Sequence, residues 1–313
     1  MLNLSNKTIA VTGANSMVGR AIIRQLTTYS VTVKSIFHEQ YDLMSYDETR
    51  TAVNGADYCF HCAGYNGNIS FNKKYPADIF YRTTQIGLNV LTACREMGVT
   101  KVVSPLASCA YPDKHILKET DWLNGSPNET VEAHGLSKQT IQAYSKQLKK
   151  QFDFDSVCVM FSTCYGPYDS FDIQKTKVVG ALIKKVYDAL TNNEPYIECW
   201  GTGSPRRELI YVDDAAQAMI NVLLFYDDCS YPLNIGTGKD ISIKELVLLI
   251  ARICEYQGEI RWDTSKPDGQ YQKLLDVSKM QRHIDNKTLS EIKFTDLIKG
   301  LTQTIEWYSN YVE

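Results

Sequence analysis

The sequence predicts an α/β protein: a parallel sheet with helices on both faces, followed by a smaller, mixed α/β part. Three observations predict it. Strand and helix patterns alternate through the first half of the chain. A glycine-rich turn stands between the first strand and the first helix. The 313 residues are 44% hydrophobic and 22% charged, which is ordinary for a globular protein of one large domain or two unequal ones. That composition excludes intrinsic disorder, collagen and a disulfide scaffold. The net charge of −3 gives a nucleic-acid surface no support. No apolar run approaches the roughly 18 residues a membrane span needs. The first seven residues, Met1 to Lys7, lead straight into a strand and lack a signal-peptide pattern, so a cytoplasmic protein is expected.

The elements follow in order. Thr8 to Thr12 is a short apolar strand. Met17 to Thr27 has helical spacing, with Val18, Ala21, Ile22 and Leu26 on one side. Val31 to Phe37 is the second strand, Thr49 to Asn54 a weak helix, and Asp57 to Cys62 a third strand. Tyr81 to Gly98 is a long helix closed by glycine. Val99 to Pro105 is a strand, Glu132 to Phe152 a long helix, and Ser156 to Phe161 a strand. Beyond these, Val178 to Leu190 reads as a helix and Ile197 to Trp200 as a strand, before the turn Gly201-Thr-Gly-Ser-Pro205. Leu209 to Val212 is β-like, and Asp213 opens a helix to about Phe225. Pro232 to Ile235 is a strand. Ser242 starts a helix whose Glu245 completes a capping box. Nine cysteines are scattered through the chain. They read as reduced, packed side chains. Cys59 and Cys62 form a single C-x-x-C with no second pair, so no metal site is expected.

The turn Thr12-Gly13-Ala14-Asn15-Ser16-Met17-Val18-Gly19 carries the strongest chemical signal. Glycines there let the backbone approach a pyrophosphate, which then sits on the helix N-terminus. Ser16 replaces the usual middle glycine and could itself bond a phosphate. The alternative is a tight turn without ligand. The second strand ends in Ser35-Ile-Phe-His-Glu39, which has no arginine to hold a 2′-phosphate. Glu39 could pair with the ribose of NAD, so NAD is favoured; His38 leaves NADP open.

Further stretches, taken together, resemble the extended short-chain dehydrogenase/reductase superfamily, and within it the GDP-L-fucose synthase (GDP-4-keto-6-deoxymannose epimerase/reductase) branch. They are Tyr75-Pro-Ala-Asp78, Ser108-Cys-Ala-Tyr-Pro112, Gly135-Leu-Ser-Lys138, Tyr165-Gly-Pro167, Trp200-Gly-Thr-Gly-Ser-Pro-Arg-Arg-Glu208, Val212-Asp-Asp214, Asn234-Ile-Gly-Thr-Gly238, Ser265-Lys-Pro-Asp-Gly269 and Lys273-Leu-Leu-Asp276. The resemblance implies a Rossmann-type domain over residues 1–165 and about 209–236. A nucleotide-sugar domain would comprise residues 166–208 and 237–313. It implies that Gly13, Ser16, Met17, Gly19, Asp42, Leu43, Ala63, Gly64, Lys138 and Phe161 line the cofactor. It implies that Trp200, Arg207, Lys273 and Lys177 hold the substrate, the cations neutralising its diphosphate. The structural alternatives are an ion pair of Arg207 with Glu208 or Asp213, a solvated Lys273, and core packing of Trp200. A homodimer or higher oligomer through the two long helices is also implied.

In that superfamily a tyrosine four residues before the lysine handles the proton. Here His134 precedes Lys138. Ala107 stands at the serine position, with Ser108 and Cys109 beside it. Lys177 falls where the branch has a catalytic histidine. Two readings follow. In one, His134 is the acid/base, since imidazole accepts a proton near neutrality. Lys138, Ser108 and Cys109 complete the site of an NAD(P)-dependent oxidoreductase. That enzyme would act at C4 of a GDP-hexose or GDP-heptose destined for surface polysaccharide, with epimerisation left open. In the other, the chain is a catalytically silent binding protein with a regulatory or structural role.

Overall fold

The computed structural model describes residues 2–172, 175–266 and 268–312. The first part of the chain runs β1 (Lys7–Thr12), α1 (Met17–Leu26), β2 (Val31–Ile36), α2 (Tyr46–Val53), β3 (Tyr58–His61), α3 (Ile69–Lys74), α4 (Pro76–Glu96) and β4 (Lys101–Ala107). It continues with β5 (Ile116–Leu117), α5 (Glu132–Phe152), β6 (Asp155–Phe161) and β7 (Thr163–Tyr165). The rest comprises α6 (Val178–Thr191), β8 (Tyr196–Trp200), β9 (Arg206–Tyr211), α7 (Val212–Phe225), β10 (Leu233–Ile235) and β11 (Asp240–Ser242). It ends with α8 (Ile243–Ile253), β12 (Glu259–Asp263), β13 (Gln272–Leu275), α9 (Ser278–Asp285) and α10 (Leu297–Val312).

Six strands form one sheet in the order β10-β6-β4-β3-β1-β2. Every pairing in it is parallel. Side chains alternate across it, and both faces are covered. Ile9 and Val11 pack with Ala21 and Ile22 of α1 and with Ala215 and Met219 of α7. Ala10, Cys59 and Val102 pack on the other face with Val90 and Leu91 of α4 and Ile141 and Leu148 of α5. This is the doubly wound, Rossmann-type sheet that the alternation predicts.

A smaller layer stands beyond the carboxyl ends of these strands. It orders β11-β9-β13-β5, with β7 also paired to β9, and a separate parallel pair joins β12 to β8. Its own core gathers Val179, Ile183, Leu246, Ile250, Leu301 and Tyr308.

Several elements exceed the sequence pattern. Helix α2 starts at Tyr46 because the Ser45 hydroxyl accepts the Glu48 N–H at 3.4 Å and caps it. Helix α4 starts at Pro76, where a proline at the first turn loses no hydrogen bond. The pattern leaves β5, β7, β11, β12, β13 and three helices, α3, α9 and α10, unassigned. Most of these are short, and the register that forms the strands is tertiary. The capping box at Ser242 and Glu245 is present in the structure.

At the start of β4, Lys101 is 1% exposed. Its ammonium donates to the carbonyls of Val222, Leu223 and Tyr226 at 2.6–3.0 Å and to Asp227 at 2.7 Å. It closes the C-terminus of α7, where a cation meets the negative end of the helix dipole. Among the described residues no helix is long and apolar enough to cross a membrane.

Candidate active site

The turn after β1 is built for close approach. Gly13 has φ +63°, and a Cβ there would stand 2.7 Å from the Ala63 nitrogen. A Cβ on Gly19 would collide with the Gly13 carbonyl oxygen. Ser16 keeps φ −69°, which any residue adopts, and its hydroxyl accepts the Gly19 N–H at 3.0 Å as the cap of α1. The missing glycine is therefore accommodated without strain. Met17 is the first residue of α1. Ala63 donates its N–H to the Thr12 hydroxyl at 3.3 Å, which joins the ends of β1 and β3, and Gly64 follows. Asn15 reaches Glu39 at 3.5 Å, so the end of β2 is tied to the turn. Asp42 accepts the Met44 N–H at 3.0 Å. Leu43 is buried, and its carbonyl accepts Asn89. Phe161 is packed into the core at the end of β6. Leu43 and Phe161 thus present little side chain to any ligand.

The first turn of α5 lies against the segment that leaves β4. A Cβ on Gly135 would strike Pro127 and come within 3.1 Å of the Cys109 carbonyl oxygen, so only glycine allows this contact. Gln139 donates to the Ala110 carbonyl at 2.9 Å. Lys138 reaches the Pro105 carbonyl at 3.3 Å. His134, Lys138, Ser108 and Cys109 are thereby brought together, with Ser108 and Cys109 in a short 3₁₀ turn and both half-exposed.

The electrostatics of this cluster are lopsided. His134 is buried and its Nδ1 has no hydrogen-bond partner. Burial first, then the charges of Lys138 and Lys177, hold its pKa well below that of free histidine. Lys138 is also pushed down, mainly by burial, with the thiols of Cys158, Cys62 and Cys109 opposing and Lys177 adding to the effect. Lys177 is exposed at the cap of α6, and its charge acts on both. His61 at the end of β3 shares the pattern. Its Nδ1 meets the Thr12 hydroxyl at 2.9 Å and its Nε2 is buried without a partner. The orphan atoms of Ser162 and Asp169, just past β6 and β7, extend the series. Orphaned polar atoms gathered at the carboxyl ends of parallel strands are what a bound dinucleotide and substrate would satisfy.

Arg207 and Lys273 stand side by side on paired strands, in register as Lys273↔Arg207. Neither forms an ion pair among the described residues, though the Asp113 charge acts on Lys273. Arg207 donates to the Arg206 carbonyl at 2.7 Å, and burial lowers its pKa. Burial likewise lowers that of Lys273, with Cys109 and, more weakly, Asp113 opposing and Arg207 adding to the effect. Asp213 pairs instead with Arg24, while Glu208 turns to backbone donors. The neighbouring Arg206, by contrast, is fully engaged by Asp240 at 2.7 Å. Trp200 is 63% exposed, which removes core packing as its role. Gly201 and Thr202 beyond it meet Asp268, whose carboxylate accepts the Thr202 N–H at 2.7 Å. Pro267, in the Ser265–Gly269 stretch, lies outside the described residues.

Sequence reasoning missed His61, Asp169 and Glu208. A buried histidine ending a strand beside the glycine-rich turn is the one signal that could have found the first of them. All nine cysteines are free, and among the described residues no group of three side chains could hold a metal.

Comparison with known proteins adds an independent finding. The family model described as the NAD dependent epimerase/dehydratase family matches residues 9–236. The chain is 31% identical over 319 residues to the GDP-L-fucose synthase of Escherichia coli strain K12, covering 97% of each. It is 29% identical to the GDP-L-colitose synthase of Yersinia pseudotuberculosis, covering 96% of this chain and 98% of that one. A crystal structure of a GDP-L-fucose synthetase from Naegleria fowleri bound to NADP superposes with a TM-score of 0.89 at 22% identity. That superposition covers 99% of this chain and 97% of the other.

Proposed function

Because the chain belongs to the NAD dependent epimerase/dehydratase family, we propose that it is an NAD(P)-dependent oxidoreductase acting at C4 of a GDP-linked hexose or heptose. The observation that carries this reading is the set of unpartnered cations and buried imidazole at the carboxyl ends of the sheet strands. The relatives named for GDP-fucose and GDP-colitose synthesis support a GDP-sugar.

The cofactor supplies or takes the hydride. The chain's own residues do the rest. The turn from Gly13 to Gly19 offers backbone N–H groups to the pyrophosphate. Lys138 holds the nicotinamide ribose. Ser108 donates a hydrogen bond to the sugar oxygen. His134, neutral at pH 7, takes the proton from the C4 hydroxyl during oxidation and returns it during reduction. Arg207 and Lys273 neutralise the diphosphate, Trp200 offers its exposed face, and Lys177 steadies the substrate. Glu39, three residues past β2 and tied to Asn15, favours NAD, while Arg20, which donates to the same Asn15 at 3.0 Å, leaves NADP open. Residues 1–165 with about 209–236 form the cofactor domain, and 166–208 with 237–313 the substrate domain. A homodimer through α4 and α5 would cover Phe80, Tyr81 and Leu136, which are exposed apolar side chains on those helices.

The test is identification of the ligand released from purified protein, followed by incubation with GDP-sugars. Turnover should fall by roughly two to four orders of magnitude in His134→Ala. Bound dinucleotide without turnover on any GDP-sugar would favour the binding-protein reading.

A further inference from the structure

Glu208 is the most deeply buried carboxylate of the described chain that has no cation against it. It is 1% exposed. Its neighbours along β9 explain why that matters. Side chains alternate along a strand, so Glu208 points away from the face that carries Arg207. Oε2 of Glu208 accepts the Leu275 N–H at 2.8 Å. Oε1 accepts the Gly238 N–H at 2.8 Å and the Thr237 hydroxyl at 3.4 Å. One carboxylate thus ties β9 to β13 on one side and to the Gly236–Gly238 turn on the other.

The ladder between β9 and β13 is very short. It consists of Gln272↔Arg206 and Lys273↔Arg207. Beyond Lys273 the strands part, and β13 turns to β5 through Leu274↔Ile116 and Leu275↔Leu117. The Leu274 and Asp276 N–H groups serve that other edge, donating to His115 and Leu117. The Leu275 N–H faces β9, and its acceptor is the Glu208 carboxylate in place of a strand carbonyl. Gly236 makes room for this. A Cβ there would collide with Oε1. The turn that Glu208 holds leads into β11, which pairs with the far edge of β9 at Arg207↔Ile241.

We propose that Glu208 is the positioning residue of the diphosphate site. By completing the β9–β13 ladder from the opposite face, it holds Arg207 and Lys273 side by side at the spacing a nucleoside diphosphate requires. Two unpartnered cations on adjacent strands repel each other, and two residue pairs of ladder are little to oppose that. The Glu208 carboxylate supplies the missing bond at the next position and carries no positive partner of its own. This inference rests on the reading of Arg207 and Lys273 as the diphosphate-holding groups.

The experiment measures binding of GDP alone, and of NAD and NADP alone, to the full chain by calorimetry. Glu208→Gln keeps the shape but sets an amide N–H₂ against one of two N–H donors. The expected result is a GDP Kd raised roughly tenfold to a hundredfold. The dinucleotide Kd should stay within about twofold, and KM for the GDP-sugar should rise with kcat little changed. Glu208→Asp, which keeps the charge and withdraws it by one methylene, serves the same comparison should the glutamine variant not fold. A folded variant with an unchanged GDP Kd overturns the proposal. So does a GDP Kd and a dinucleotide Kd that weaken in proportion, which would make Glu208 structural only. Arg207→Ala is measured beside it. If Arg207→Ala leaves GDP binding unchanged, the diphosphate reading itself fails. If it weakens GDP while both Glu208 variants do not, only the positioning role fails.

Discussion

Two lysines bracket strand β4, and the fold treats them in opposite ways. Lys101 opens the strand, buried, with three carbonyls and a carboxylate around its ammonium. Lys138 reaches the other end from α5 and finds a single carbonyl at 3.3 Å, with thiols and a second lysine for company. A buried charge with all its donors spent is a structural part. A charge kept half-buried with donors to spare is costly to the folded chain, and a ligand can recover that cost. The same division separates Arg206, held by Asp240, from Arg207 beside it. Partnering, more than residue type, distinguishes scaffold from site in this molecule.

The sharpest way to break this comparison is one substitution at both ends of the strand. Lys101→Met takes the donor from three carbonyls at the end of α7, leaving that of Val222 only the Tyr226 N–H, and unfolding free energy should fall by about 3 kcal/mol. Cofactor affinity should change little in the folded fraction. Lys138→Met should alter stability by less than about 1 kcal/mol in either direction, because only one long hydrogen bond is lost. Its dinucleotide Kd should rise roughly tenfold or more. Urea unfolding and calorimetry on the two variants decide the matter. Equal destabilisation by both would mean that partnering carries no such information.

The next largest effect concerns pH. Burial, and then the charge of Lys138, push the His61 pKa down to about 3. In the unfolded chain it returns to the ordinary value near 6.5. Below about pH 6.5 the unfolded state therefore takes up a proton that the folded state refuses, and stability falls as pH falls. By pH 5 the loss is roughly 2 kcal/mol for this residue. His134, also held well below the ordinary value, adds a loss of the same sign. In His61→Gln the slope of unfolding free energy between pH 7 and 5 should flatten. An unchanged slope would show that His61 titrates normally in the fold.

How much of this was legible in the sequence follows from how local each signal is. Helix α5 needed no tertiary information, because its 21 residues carry a helical period from Glu132 to Phe152. The glycine-rich turn was legible because Gly13 and Gly19 are demanded by local geometry. Strands β12 and β13 were not. They hold five and four residues of mixed polarity, and their pairing with β8 and β9 is settled by distant partners. Arg207 and Lys273 could be named from their motifs, but the sequence left open whether Glu208 or Asp213 neutralised the arginine. Only packing shows that Asp213 pairs with Arg24 and that Glu208 faces backbone amides. The role of Glu208 had no local signal at all.

Trp200 offers the smallest and cleanest sharpening of the scaffold–site division. An indole that is 63% exposed at the end of β8 contributes little to the fold. Lys266, with its ammonium 6.0 Å from the ring centroid, is too distant to hold it firmly. Trp200→Ala should therefore leave unfolding free energy within about 0.5 kcal/mol of the parent. A flat aromatic face against a nucleotide sugar is worth about 1 kcal/mol, so KM for the GDP-sugar should rise roughly fivefold. Stability and KM respond to different parts of the molecule here, and measuring both on one variant separates them. A large loss of stability with an unchanged KM would assign the indole to packing after all, and the exposed ring would then belong with Lys101 rather than with Arg207.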